Sequence, residues 1–216
     1  MGEHALSRGG VPRRPRDPSR AQGGIHPDYT DPVISNPAQP DKAFEERPDV
    51  SVDAYVRMID AKTGALLRAS LEMGGIVGGA GPAERDTLRQ LGLHLGRAFQ
   101  IQDDLLDLVA DDARWGKAIG GDLREGKKTY LLLRALERTQ GEAHAWFARI
   151  VRDRGLPDAE IPEARERMER SGVLEEAREA VRSHSAAASR CLDARAPSPA
   201  VETLRWLVDR MQARLH

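Results

Sequence analysis

The sequence predicts an all-α protein, and three observations carry that expectation. Apolar residues recur at helical spacing in one segment after another, no stretch alternates convincingly with the period of two that a half-buried strand requires, and helix-start signals stand where the periodic runs begin. The first run follows "FEERPDV": Ser51 is placed to cap a helix in which Tyr55, Met58, Ile59, Leu66, Ala69 and Met73 form a stripe. Next comes "GALLRASLEMGGIVGGAG", whose small residues let helix backbones approach closely or leave room beside them. Further helices are expected from about Ala83 to Val109, Thr129 to Gln140, Glu142 to Arg154, Asp158 to Asp193 with a break at Ser171-Gly172, and Pro199 to Leu215. Ser198 caps the last, with Pro199 at the first helical position, where its missing N–H costs nothing.

The start of the chain differs in character. Residues 1–43 are rich in Pro, Gly, Arg, Asp and Ser, as in "RGGVPRRPRDPSRAQGG", with almost no aliphatic periodicity. Such a segment buries too little apolar surface to offset its chain entropy and is expected to be a disordered or unrelated leader, residues 44–216 forming the folded domain. A basic arm or transit peptide is the competing reading of Arg8 to Arg20, but no amphipathic apolar face accompanies the arginines.

Composition narrows the functional classes. Thirty-three basic and 34 acidic side chains leave a net charge of -1, so no global field draws the chain to nucleic acid or an anionic membrane. No apolar run is long enough to span a membrane. A single cysteine, Cys191, rules out an internal disulfide framework, which suits a reducing cytoplasm.

The chemistry concentrates in "FQIQDDLLDLVADDARWGKAIGGDLREGKKT", where five aspartates fall within ten residues and lysines follow in a Gly-rich stretch. At about 100° per residue, setting Asp103 at 0° puts Asp107 at about 40°, Gln100 at about 60°, Asp111 at about 80° and Asp104 at about 100°. Ile101, Leu105, Leu106, Leu108 and Val109 occupy the opposite side. One reading is a solvated acidic stripe, whose like-charged pairs cost only about 0.2–0.5 kcal/mol each. The other is a metal site, since no lysine or arginine interrupts the acids between Phe99 and Asp112. Hard carboxylate oxygens without a His or Cys cluster favour Mg²⁺, which takes one or two carboxylates and completes its shell with water and substrate phosphate.

Lys62 falls in the middle of the first apolar stripe, between Met58 and Leu66 on a regular helix. There it either snorkels to water or meets an anion. Lys117 and Lys127 flank the glycines, where they are ordinary solvated loop lysines or point charges for a phosphate.

"FQIQDDLLD", then "GK", then "GDLREGKKT" resembles the second aspartate-rich region of the trans-type isoprenyl (polyprenyl) diphosphate synthases. "YVRMIDAKTGALL" is similar to the Lys-Thr helix of that family, and "MERSGVLEEAREAV" to its C-terminal helices, so the resemblance runs from about Phe44 to Arg214. It implies an isoprenoid-synthase-type helical bundle around a cavity in which Mg²⁺ on aspartates holds an allylic diphosphate, which condenses with isopentenyl diphosphate. By that resemblance Asp103, Asp104 and Asp107 match the metal motif, and Lys62, Lys117 and Lys127 match the diphosphate-binding lysines. Thr63 and Gln100, with Lys62, match the catalytic polar residues that stabilise the carbocation or receive the proton. The "GDLREGKKT" segment points to the chain-elongating branch rather than to terpene cyclases.

The family also carries a first DDxxD region and basic residues for isopentenyl diphosphate, which belong before "FEERPDV". Asp28, Asp31 and Asp41 are scattered among prolines there and form no helical face. The expectation is therefore a bundle truncated at its N-terminal side. The alternative to an active synthase is a catalytically deficient remnant, or a non-catalytic subunit completed by a partner chain, with a homodimer or heteromer as the assembly.

Overall fold

The computed structural model describes residues 50–110, 119–193 and 195–212. The expected leader, residues 1–43, lies outside them, as do Lys117, Asp111 and Asp112.

Every regular element among the described residues is helical: α1 (Val52–Ile59), a π-helical turn (Asp60–Gly64), α2 (Ala65–Val77), α3 (Pro82–Val109), α4 (Gly121–Arg124), α5 (Tyr130–Arg138), α6 (Gly141–Arg152), a 3₁₀ turn (Asp158–Glu160), α7 (Ile161–Arg170), α8 (Val173–Asp193) and α9 (Pro199–Gln212). The capping residues read from the sequence are the ones used. Ser51 Oγ accepts from the Ala54 amide at 3.2 Å, and Ser198 Oγ from the Val201 amide at 3.3 Å. The break between α7 and α8 falls at Ser171-Gly172, where Gly172 takes a left-handed φ of 76° that a side chain would resist.

The long helix α3 is the axis, packed along α2 on one side and α8 on another. Two apolar clusters stack along it. Its C-terminal half, with Ala98, Ile101, Leu105 and Leu108, joins Tyr55 and Ile59 of α1, Leu132 of α5, Phe147 of α6, Met168 of α7 and Leu174 of α8. Its N-terminal half, with Leu91 and Leu95, joins Ala188 and Leu192 of α8 and Val208 of α9, with Leu67 and Leu71 of α2 against them. Glycines set the approach of α2 to α3: a Cβ on Gly92 would lie 2.7 Å from the Arg68 nitrogen, and one on Gly96 would lie 2.8 Å from the Gly64 Cα. The small-residue stretch was expected to allow such an approach; Gly64 is the member that makes it, while the space beside Gly74 is open. Among the described residues, no helix is long and apolar enough to cross a membrane.

Candidate active site

The site begins with the irregularity in the first helix. Tyr55 and Ile59 are buried, and a regular helix would next turn Lys62 and Leu66 toward the core. Instead the π turn inserts one residue, which sets back every later position by about 100°. The core face then resumes at Gly64, Ala65, Leu67 and Leu71. Lys62 is exposed and Leu66 is 70% exposed, which corrects the expectation that Lys62 occupies the middle of a buried stripe. Met73, Ile76 and Val77 are also exposed, so α2 carries an open apolar face following Lys62.

The turn is held where it lies. Arg97 of α3 donates to both oxygens of Asp60, at 2.7 and 2.6 Å, a two-point ion pair in a partly buried setting. Gly96 abuts Gly64 at the other end of the turn. Lys62 and Thr63 are thus presented by a clamped, non-α segment.

Thr63 and Gln100, read as partners of one chemistry, do meet: the Thr63 hydroxyl donates to Gln100 Oε1 at 3.1 Å. Gln100 Nε2 in turn donates to Asp104 Oδ1 at 3.2 Å. Asp104 Oδ2 accepts from the Tyr55 hydroxyl at 2.6 Å and from the Tyr130 amide at 2.9 Å.

Asp104 therefore departs from the reading that placed it beside Asp103 and Asp107 as a metal ligand. Only 6% of it is exposed and both oxygens are already engaged. The reason lies in the helical wheel: at about 100° it stands at the edge of the polar face, next to Leu108 at about 140°, so burying the apolar side draws it inward. Burial pushes its carboxyl up to about 7, against the donors Tyr55, the Tyr130 amide and Gln100, which favour the ionised form. The Tyr55 phenol is raised well above its ordinary value by burial and by the same carboxylate.

The other two aspartates remain on the polar side in different ways. Asp103 is exposed. Asp107 is half-buried, its Oδ2 accepting from the Asp122 amide at 3.0 Å, so it also anchors α4 to the end of α3; burial raises its carboxyl. Lys127 Nζ lies 3.0 Å from Asp122 Oδ1 and 2.8 Å from Glu125 Oε2, and those carboxylates raise its ammonium, Glu125 foremost. A phosphate reaching Lys127 has two carboxylates to displace or accommodate. Lys127 also borders a groove of about 1100 Å³ between α5 and α6, lined by Leu133, Leu136 and Val151, but none of Lys62, Thr63, Gln100 or Asp103 lines it.

Among the described residues, no group of three or more His, Cys, Asp or Glu side chains is arranged to hold a metal ion. Asp103 and Asp107 offer hard oxygens suited to Mg²⁺ only as part of a shell completed by water and phosphate. The sequence reading gave Tyr55 a packing role alone and did not single out Asp60, Arg97 or Asp122. One signal was available: a tyrosine in a core stripe needs a partner for its hydroxyl, and the edge aspartate of the acidic face was the candidate.

Known proteins resemble this chain in sequence and in fold. The family model described as polyprenyl synthetase matches residues 38–168. The short chain isoprenyl diphosphate synthase of Methanothermobacter thermautotrophicus is 38% identical over 177 residues, covering 82% of this chain and 54% of that protein. The decaprenyl diphosphate synthase of Rhodobacter capsulatus superposes with a TM-score of 0.77 at 31% identity, over 86% of this chain and 57% of that one. A polyprenyl synthase of Caulobacter crescentus, crystallised with calcium and isoprenyl diphosphate, superposes with a TM-score of 0.75 at 31% identity, over 85% of this chain and 56% of that one. The chain spans about half the length of these relatives. With the family model covering more than half of its residues and the aspartate and Lys-Thr segments folded onto one another, the chain belongs to the polyprenyl synthetase family.

Proposed function

We propose that this chain forms the second-aspartate wall of a prenyltransferase cavity, in which an allylic diphosphate condenses with isopentenyl diphosphate. The observation that carries the reading is the junction of the π turn with α3, which ties Thr63 to Gln100 and sets exposed Lys62 and exposed Asp103 on either side of that pair in sequence. In the reaction the allylic C–O bond breaks, the diphosphate leaving with the electron pair. The double bond of isopentenyl diphosphate then supplies the electrons of the new C–C bond, and a proton is lost. Negative charge grows on the leaving diphosphate only as that bond breaks, so fixed cations placed around it act on the transition state. Lys62 is proposed as one such cation, with Lys127 and Lys117 proposed for the same anion.

Asp103 and Asp107 are the carboxylates proposed to hold Mg²⁺; Asp104, buried and fully engaged, is proposed to act behind them. Bound jointly by carboxylate and diphosphate, Mg²⁺ supplies further positive charge to the departing oxygens. The calcium and isoprenyl diphosphate in the Caulobacter crescentus relative support this ligand pairing. Gln100 and Thr63 line the place where the carbocation and the departing proton are expected. The open apolar face of α2, at Leu66, Met73, Ile76 and Val77, supports a cavity whose remaining wall comes from further chain, within a longer protein or in a homodimer or heteromer. A cytoplasmic setting suits the single cysteine and these water-borne substrates.

Calorimetric titration with pyrophosphate tests the site. Binding is expected with Mg²⁺ and lost in excess EDTA, in Asp103→Asn and, by at least about ten-fold, in Lys62→Met, the loss of one charge-assisted contact. Equal affinity with and without the metal removes the proposal.

A further inference from the structure

We propose that Tyr55 is a positioning residue for this site, acting through Asp104 to fix which way the Gln100 amide faces and so where the Thr63 hydroxyl points. The inference rests on the prenyltransferase reading for its purpose, but not for its geometry.

Four side chains and one backbone amide form a directed chain. Tyr55 OH and Tyr130 N both donate to Asp104 Oδ2, at 2.6 and 2.9 Å, leaving Oδ1 as the acceptor turned to Gln100. An oxygen there demands a donor, so Gln100 presents Nε2, at 3.2 Å. With Nε2 committed, the other end of the amide is necessarily Oε1, an acceptor, and Thr63 answers by donating its hydroxyl proton at 3.1 Å. The hydroxyl proton is spent inward, so Thr63 offers only lone pairs to the open side, where they suit a developing cation or a departing proton. Reversing the Gln100 amide would make Thr63 accept from Nε2 and swing its proton outward, the wrong polarity for either task.

Tyr55 is well built to set this direction. It is 2% exposed, its ring meets Tyr130 edge-on with centroids 6.1 Å apart, and it stands on α1 immediately before the π turn that carries Thr63. Its hydroxyl holds Asp104 Oδ2, so its contribution falls on how squarely Oδ1 faces the Gln100 amide.

The test uses the full ¹⁵N-labelled chain, with the Gln100 side-chain amide signals assigned by their loss in Gln100→Glu. In Tyr55→Phe, exchange of that amide with water is expected to rise by about ten-fold, the loss of roughly one hydrogen bond's restraint, and its two proton signals to move toward those of a solvent-exposed glutamine. Tyr130→Phe serves as the control, because Tyr130 contributes its backbone amide to the chain; it should leave the Gln100 signals in place. Asp104→Asn, whose carboxamide is able to donate toward Gln100, should shift the same signals by reversing the pair, and it decides the matter if Tyr55→Phe does not fold. Unmoved Gln100 signals in folded Tyr55→Phe, or equal movement in Tyr130→Phe, overturn the proposal. Absence of Mg²⁺-dependent pyrophosphate binding in the parent chain would instead remove the prenyltransferase reading and leave the Gln100 result standing.

Discussion

The tie between α3 and α8 makes stability depend on pH in a calculable way. His94 Nδ1 and His184 Nδ1 lie 3.2 Å apart, one donating to the other, which requires at least one ring to be neutral. Arg97 on α3 and Arg190 on α8 stand near the pair, with Asp60 of the π turn as an opposing charge. Burial, then Arg97, then His94 depress the His184 imidazole to about 4 from its ordinary 6.5. The sign follows from proton counting. Between pH 6.5 and about 4 the unfolded chain protonates His184 and the folded chain does not, so the unfolded state binds more protons and stability is lost as pH falls through that window. The full difference corresponds to roughly 3 kcal/mol. Because the ring is only partly buried, water screening reduces this to about 1–2 kcal/mol by about pH 5. Urea denaturation at about pH 7.5 and about pH 5, in the parent and in His184→Gln, isolates the contribution, since carboxylates elsewhere titrate alike in both. The parent is expected to lose about 1–2 kcal/mol more than the variant on acidification. Equal losses in the two proteins would show that the pair is not held neutral by its surroundings.

Two further outcomes follow from the packing around the site. Gly96→Ala places a methyl 2.8 Å from the Gly64 Cα, a backbone atom that cannot swing aside; thermal denaturation should show a loss of about 1–3 kcal/mol, and pyrophosphate binding should weaken because the π turn is pushed off α3. A Gly96→Ala chain with parent stability and affinity would mean that the turn moves freely. Leu66→Gln with Val77→Gln, at positions 70% and 90% exposed, should leave folding stability within about 0.5 kcal/mol while reducing concentration-dependent self-association in sedimentation velocity. Self-association unchanged in the double variant would assign it to another surface, such as the exposed Trp206 on α9.

The candidate site residues stand in short segments whose signal is local. Asp103 stands out by type and short spacing, Thr63 and Gln100 enter through the resemblance of their segments to the family's, and helix caps such as Ser51 and Ser198 are read from residue type alone. Two features were not, and both depend on distant chain. The wheel that put Lys62 at the centre of the apolar stripe assumed an unbroken step of about 100°; the π turn breaks it, and the turn ends at Gly64, where Gly96 of the distant α3 packs against its Cα. Asp104 read as equal to Asp103 because the same chemistry stands at neighbouring positions; its place at the edge of the wheel, with the Tyr55 hydroxyl 49 residues away and the Tyr130 amide as partners, separates the buried carboxylate from the exposed one. These two departures share a cause. The one extra residue that exposes Lys62 is compatible with a buried Tyr55 only if α1 keeps its own register against α3, and that register brings the phenol to Asp104. Restoring a regular helix by deleting a residue from the turn would have to sacrifice either the Tyr55-Asp104 bond or the Gly64-Gly96 contact, so the placement of the cation and the orientation of the polar pair are two results of a single irregularity in the backbone.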